Sequence, residues 1–205
     1  MHFLITAGGT REYIDPVRFI SNASSGKMGY ALVRAAIKAG HKVTLITAPT
    51  ALREPAGAKI VEAETAAEMF EAVKKHFKRC DCLIMAAAVA DYTPAAPAKT
   101  KMKKSAGPLS LKLKPTADIV KWAGTHKKGS QIVVGFALED KALRKRAEKK
   151  MQAKNLDMII ANTPAAIAAE KSSVQIGTAG VDWSKIENAS KSTIARKIVN
   201  MLERG

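Results

Sequence analysis

The chain has 205 residues, 47% of them hydrophobic, which is enough apolar content to bury a full core and excludes general disorder. The 34 basic and 18 acidic side chains leave a formal charge of +16, more than solubility requires, so the partner classes to weigh are anionic ligands and nucleic acid. No apolar run approaches the ~20 residues of a membrane span, and Met1-His2-Phe3-Leu4-Ile5-Thr6 carries no charged leader, so a cytoplasmic protein with no membrane partner is expected.

Apolar, β-rich runs alternate with helical patterns. The expected order is a strand over Phe3 to Ala7, a helix over Met28 to Ala39, a strand over Lys42 to Ala48, a helix over Thr65 to Arg79 and a strand over Cys82 to Val89. This rhythm is the signature of βαβ units with parallel strands. Leu83-Ile84-Met85-Ala86-Ala87-Ala88-Val89 is continuously apolar, as a central strand covered on both faces requires. Thr65 and Glu68 have the spacing of a capping box. Cys80 and Cys82 are the only cysteines; strand alternation would send both to one face, and they read as reduced, structural thiols. From Asp91 to Lys114 the texture turns to Pro, Ala, Lys and Gly and ends in the alternating run Leu109 to Lys114. A mobile basic flap over 92–114, closed by a short amphipathic strand, is expected there. Helices over Asp118 to Gly124, Leu143 to Lys154 and Ser190 to Glu203, with strands over Ile132 to Phe136, Asp157 to Ala161 and near Val174 to Ile176, complete the pattern. The fold class is α/β: one Rossmann-like three-layer α/β/α domain, residues 1–205, with a mainly parallel central sheet and a basic flap.

After the first strand, Ala7-Gly8-Gly9-Thr10 allows a ligand to lie against bare main chain. Ser21-Asn22-Ala23-Ser24-Ser25-Gly26-Lys27-Met28-Gly29 runs straight into a helix, whose first amides and dipole attract anions, phosphates above all. Neither loop has the spacing of a dinucleotide fingerprint or a P-loop. Small residues in Ala86-Ala87-Ala88-Val89-Ala90-Asp91 leave room for an acyl or planar group, with Asp91 placed to accept from hydroxyls or help position a cation. Lys101, on the flap, can close over phosphates and neutralise a leaving group. His2, His41, His76 and His126 form no metal pattern, and Ser24 and Ser25 lack a nucleophile elbow, so their hydroxyls suit phosphate oxygens better.

Ala7 to Thr10, Asp15 to Gly29, Ala86 to Asp91, Lys101 to Lys104 and Gly135 to Glu139, in this order, resemble phosphopantothenoylcysteine synthetase; Lys154 to Asp157 and Ile160 to Asn162 extend the match. The resemblance implies a ligase of coenzyme A biosynthesis that joins 4′-phosphopantothenate to L-cysteine. Its co-substrate would be CTP and its cofactor a divalent cation, usually Mg2+. The carboxylate attacks the α-phosphate, giving an acyl-CMP and pyrophosphate; the cysteine amine then displaces CMP.

By the same resemblance, Gly8, Ser24, Gly26 and Gly29 cradle the triphosphate, Gly9 is a further nucleotide-binding position, and Asp91, Ala117, Asp118, Ile119, Val120 and Phe136 form the ribose and base site. Met85, Ala86, Ala87 and Asn162 add nucleotide contacts. Lys101, Lys150 and Lys154 are nucleotide-binding lysines, with Lys101 and Asn22 as the catalytic residues, for activation and amide formation respectively. Arg18, Asn22, Ala87, Ala88 and Asp91 bind the pantothenate substrate, Arg18 by reaching across a homodimer interface. No metal ligand is assigned, and neither is the tail after Thr163. This chain reads Thr116-Ala117-Asp118-Ile119 where many bacterial relatives have Asn-Pro-Asp-Ile. Relatives are often fused behind a flavin-dependent decarboxylase, which makes a separate phosphopantothenoylcysteine decarboxylase a candidate partner on which the sequence itself is silent; no flavin is expected here.

Two other functions are weighed against this one. An oxidoreductase or epimerase on a similar sheet would want G-x-G-x-x-G and a Tyr-x-x-x-Lys pair, which are lacking. A nucleic-acid module would want aromatics among the lysines, yet aromatic content is only 5% and the flap has none after Tyr92.

Overall fold

The computed structural model describes residues 1–104, 106–166 and 169–204. Ser105 of the expected flap, and Ile167, Ala168 and Gly205 of the expected domain, lie outside the described residues. In chain order the elements are β1 (His2–Ala7), β2 (Arg11–Tyr13), β3 (Phe19–Ser21), α1 (Lys27–Lys38), β4 (Lys42–Thr47), β5 (Lys59–Glu62), α2 (Ala66–Phe77), β6 (Cys82–Met85), β7 (Tyr92–Pro94), β8 (Leu113–Pro115), α3 (Ile119–His126), β9 (Ile132–Leu138), α4 (Leu143–Ala153), β10 (Met158–Asn162), β11 (Lys171–Thr178), β12 (Val181–Ser190) and α5 (Lys191–Arg204).

The sheet runs β12-β11-β10-β9-β6-β1-β4-β5. The six strands from β10 to β5 are parallel; β11 and β12 continue the edge antiparallel. From β1 the chain builds outward to β4 and β5, then returns to build outward through β6, β9 and β10. The gap between β1 and β6 is therefore the topological switch point, where a doubly wound sheet opens a crevice at its carboxyl ends.

Side-chain alternation sorts the core into two layers. Phe3 and Ile5, with Leu45, Ile84, Val134 and Ile160, face α1 and α5. Leu4, with Ile46, Leu83, Val133 and Ile159, faces α2, α3 and α4. The three-layer, mainly parallel architecture expected from the sequence is the one observed. The capping box is complete: the Glu68 N–H donates to the Thr65 hydroxyl at 3.1 Å and the Thr65 N–H to the Glu68 carboxylate at 3.3 Å.

Several local expectations are corrected. The strand expected over Cys82 to Val89 stops at Met85, because residues 86–90 turn away to hydrogen-bond with loop partners described below. Cys80 precedes β6 and packs in the α2 layer, whereas Cys82 packs in the α1 layer, so the two do not share a face. Both are buried free thiols, with burial pushing Cys80 up to about 12 and Cys82 well above its ordinary value. The alternating run Leu109 to Lys114 joins a ladder only at β8, against β7; Leu109 and Leu113 remain 57% and 41% exposed because no core lies beneath them. The single strand near Val174 to Ile176 is the centre of the β11–β12 hairpin, and β2, β3 and β5 are additional.

Gly29 shows how closely α1 sits on β1: a Cβ there would lie 2.5 Å from the Ala7 Cβ and 3.0 Å from the Thr6 carbonyl oxygen. Both neighbours belong to a central strand and cannot yield without moving the sheet. Gly29→Ala should cost about 1–3 kcal/mol, read in thermal unfolding as a Tm loss of about 2–4 °C per kcal/mol; an unchanged Tm would show that α1 has room to shift.

Candidate functional site

Both loops at the switch point are shaped by glycine. Gly8 has φ +84°, and a Cβ on it would stand 2.9 Å from the Ala48 carbonyl oxygen. A Cβ on Gly9 would stand 2.8 Å from the Asn22 carbonyl oxygen, so the β1 turn and the loop before α1 lie in direct backbone contact. Gly26, with φ +74°, is the N-cap of α1 and offers no side-chain acceptor to the first-turn amides. Those amides and the positive end of the helix dipole favour an anion.

The 86–91 loop is held by hydroxyls and amides instead of a sheet ladder. The Ala87 N–H donates to Thr6 Oγ1 at 3.1 Å, the Ala88 N–H to the Gly8 carbonyl at 2.8 Å and the Ala90 N–H to Thr10 Oγ1 at 3.0 Å. Asn22 Nδ2 donates to the Ala88 and Val89 carbonyls at 3.2 and 3.1 Å, and Thr116 Oγ1 donates to the Ala90 carbonyl at 2.6 Å. Asn22 thus fixes the loop whose alanines form the floor of the site.

Above that floor lies a cleft of about 660 Å³. Asn22 to Met28 wall one side, Met85 to Val89 and Asp91 form the floor, and Thr116 to Val120 with Gly135 to Glu139 wall the other; Lys150, Lys154, Asn162 and Lys191 complete the lining. Lys150 Nζ donates to the Phe136 carbonyl at 2.7 Å, and burial, with the nearby Lys154 charge, lowers its pKa. Lys154 Nζ lies 2.9 Å from Asp118 Oδ2, while Asp118 Oδ1 caps α3 by accepting from the Lys121 N–H at 3.0 Å. Glu139 is paired to Arg146 at 3.0 Å. The arrangement can hold a polyanion between lysines of both helical layers, with carboxylates on one wall for hydroxyl groups.

The structure brings most of the expected site residues into this one cleft: Asn22, Ser24, Gly26, Met85, Ala86, Ala87, Ala88, Asp91, Ala117, Asp118, Ile119, Val120, Phe136, Lys150, Lys154 and Asn162. Gly8, Gly9 and Gly29 lie behind the lining as buried packing positions. Arg18 and Lys101 are outside it. Sequence reasoning assigned no role to Lys27, Thr116, Glu139 or Lys191. Lys27 could have been found from its place beside the Gly26 cap, but nothing local marks Lys191, which arrives from the unassigned tail.

Arg18 and Lys101 meet at a clasp. The Asp15 carboxylate is buried, accepts from the Val17 and Arg18 N–H groups at 2.9 Å each, and binds the Arg18 guanidinium through Nε at 2.9 Å and through Nη2. It also accepts from the Met102 N–H at 3.1 Å, while Arg18 Nη2 donates to the Met102 carbonyl at 2.8 Å. Lys101 is therefore carried on a flap segment tied to the β2–β3 turn. The Arg18 guanidinium, followed by backbone N–H donors, holds the Asp15 carboxyl well below the usual carboxylate range.

A parallel sheet of this order, with a lysine-lined cleft over its switch point, defines a Rossmann-like α/β domain with an anion-receptive site. The chain belongs to the DNA/pantothenate metabolism flavoprotein C-terminal domain family, whose profile matches residues 1–204. It is 51% identical over 162 residues to the coenzyme A biosynthesis bifunctional protein CoaBC of Bacillus subtilis (strain 168), covering 78% of this chain and 40% of that protein. Among solved structures, the C-terminal domain of a CoaBC protein superposes with a TM-score of 0.86 at 36% identity, covering 99% of this chain and 94% of that one. The DNA/pantothenate metabolism flavoprotein from Streptococcus pneumoniae superposes with a TM-score of 0.87 at 25% identity, covering 100% and 99%. The chain spans roughly half or less of the length of the CoaBC relatives it matches.

The clasp makes a signed pH prediction. Because the folded-state pKa of Asp15 is depressed, its ion pair stabilises fully above the unfolded value of about 3.9 and is lost as pH falls below it. Urea unfolding of the native chain and of Asp15→Asn should differ most at neutral pH, with the difference shrinking as pH falls from about 4 towards the depressed folded value, while trypsin should cut the variant faster at Lys101 and Lys103. A pH-independent difference would show that the carboxylate charge is not what holds the flap.

Proposed function

We propose that the chain is a ligase of coenzyme A biosynthesis that condenses 4′-phosphopantothenate with L-cysteine, using CTP and forming an acyl-CMP intermediate. The observation that carries this reading is the convergence of Asn22, Ala87, Asp91, Phe136, Lys150 and Lys154 on one cleft at the switch point. Membership of the family and the name of its bifunctional coenzyme A relatives support the same assignment.

In this reading the pantothenate carboxylate oxygen attacks the α-phosphorus, the bond to the β-phosphate breaks, and its electron pair leaves with pyrophosphate. Ser24 and the α1 amides receive the phosphates, Asp91 and Asp118 meet the ribose side, and Lys150 and Lys154 offset negative charge. Asp118 and Glu139 are already ion-paired, which leaves Asp91 as the cleft carboxylate to hold a divalent cation, Mg2+ in the usual case; when bound, that ion neutralises phosphate charge. Among the described residues no group of three His, Cys, Asp or Glu side chains could hold a metal by itself, so nucleotide oxygens would complete its shell. The cysteine amine then attacks the acyl carbon, CMP leaves, and the amine loses a proton. Asn22, fixed by the Ala88 and Val89 carbonyls, stands where the acyl group must be held.

Arg18 and Lys101 lie outside the chain's own cleft, which fits a homodimer in which a second copy presents them. Val17, Phe19, Tyr92 and Leu113, exposed at 57, 41, 56 and 41%, are carried by the neighbouring β2–β3 and β7–β8 hairpins and supply an apolar surface for that contact. A phosphopantothenoylcysteine decarboxylase, on the same or a separate chain, would take the product. No described helix is long and apolar enough to cross a membrane.

The deciding experiment incubates the chain with 4′-phosphopantothenate, cysteine, CTP or ATP, and magnesium, then detects the amide and nucleoside monophosphate by mass. Equimolar amide and CMP are expected; no amide with either nucleotide, together with thermal stabilisation by NADPH alone, would overturn the assignment. Lys101→Gln should slow pyrophosphate release by about 10²-fold, whereas Asn22→Asp should still release pyrophosphate but accumulate acyl-CMP. Phe19→Asp should yield a monomer in light scattering with little remaining turnover; an active monomer would dismiss the shared site.

A further inference from the structure

The lysines of the cleft come from opposite layers. Lys150 and Lys154 belong to α4, and their ammonium groups already contact the Phe136 carbonyl and Asp118. Lys27 opens α1 and Lys191 opens α5, two helices that pack together on the other face, and both side chains line the same cleft. Burial and the positive charge of Lys27 lower the Lys191 pKa, as expected for two ammonium groups brought close in a partly desolvated place. Lys27 lies 4.0 Å from Glu170, whose side chain is 92% exposed, a distance and setting that contribute little. Two like charges facing one cleft become favourable when an anion joins them.

Resting on the ligase reading above, we infer that Lys27 and Lys191 form a clamp for the outer phosphoryl groups of the nucleoside triphosphate and for the pyrophosphate that leaves. Asp118 caps α3 in the helical layer opposite α1 and α5, so a nucleoside held at Asp118 sends its β- and γ-phosphates towards α1 and α5. As the α-phosphorus to bridging-oxygen bond breaks, negative charge grows on the departing pyrophosphate, and the two ammonium groups stabilise it there. The C-terminal helix thereby contributes directly to the site, which explains why a lysine opens it at the cleft edge.

Isothermal titration calorimetry with CTP, CMP and pyrophosphate tests the clamp. Lys191→Gln should bind CTP and pyrophosphate about tenfold more weakly and CMP within about twofold of the native chain, with Lys191→Arg restoring pyrophosphate binding; Lys27→Gln should show the same selectivity. Equal binding of all three ligands by Lys191→Gln and the native chain would overturn the clamp. So would weakening of CMP alongside CTP, which would make Lys191 a structural residue. A native chain that binds neither CTP nor pyrophosphate would instead remove the ligase reading itself, and a native chain that binds both while Lys191→Gln does too would remove the clamp alone.

Discussion

The site depends on two neighbouring strands that send their chains to opposite faces of the sheet. β1 leads through its hairpin to α1, β6 leads through the flap to α3, and a crevice opens beyond the carboxyl ends of this pair. Backbone groups beside such a crevice must still be hydrogen-bonded. Thr6, Thr10, Asn22 and Thr116 meet that requirement for residues 87–90. Each bond is worth about 1 kcal/mol net, so the floor of the cleft rests on several modest interactions acting together, and the alanines above them leave its volume open.

The acidic residues do a different task from the lysines they oppose. In a chain of formal charge +16, a buried carboxylate is stabilised by the surrounding field as well as by its partners. Asp15 joins two segments: its own β2–β3 turn, through the Val17 N–H and the Arg18 guanidinium, and Met102 of the flap. Glu12, also buried, reaches across to accept from the Ala66 N–H at 2.8 Å and so fixes the start of α2. These carboxylates set the position of the hairpin and flap, away from the cleft lysines.

The parts of the fold with strong periodicity were legible in the sequence. Phe3 to Ala7 and Ile132 to Phe136 read as strands because both faces are covered, and the Thr65 and Glu68 pair marked a helix start that the geometry reproduces. The Ala86 to Ala88 run was misread as strand because alanine tolerates either state and carries no period; the Thr6 and Thr10 hydroxyls that lift it are remote in sequence. The three-residue strands β2, β3 and β7 are too short for alternation to appear, whereas the alternating run before β8 marked that strand. Most cleft residues were legible because they cluster in three loops at strand ends. Lys191 was not, since only the packing of α5 beside α1 brings it there.

The placement of positive charge also argues for a compact anion over a nucleic-acid strand. Lys150 and Lys154 are four residues apart, and like charges at that spacing destabilise a helix by about 0.2–0.5 kcal/mol. They occupy the last turn and cap of α4, where the helix dipole returns about 0.3–1 kcal/mol per cation. The helix end therefore tolerates the pair, and the pair faces inward to the cleft. Elsewhere on α4, Arg146 is taken up by Glu139 and Asp140, and Arg144 lies over Trp183 at 5.9 Å. Phe19 and Tyr92, the exposed large aromatics among the described residues, sit with Val17 and Leu113 on the adjacent hairpins, outside the cleft that the lysines line. A single-strand binder needs stacking surfaces interleaved with its cations. Here Lys27, Lys150, Lys154 and Lys191 line one cleft and the exposed aromatics lie outside it, which is the division of labour a small, highly charged ligand and a protein neighbour would require.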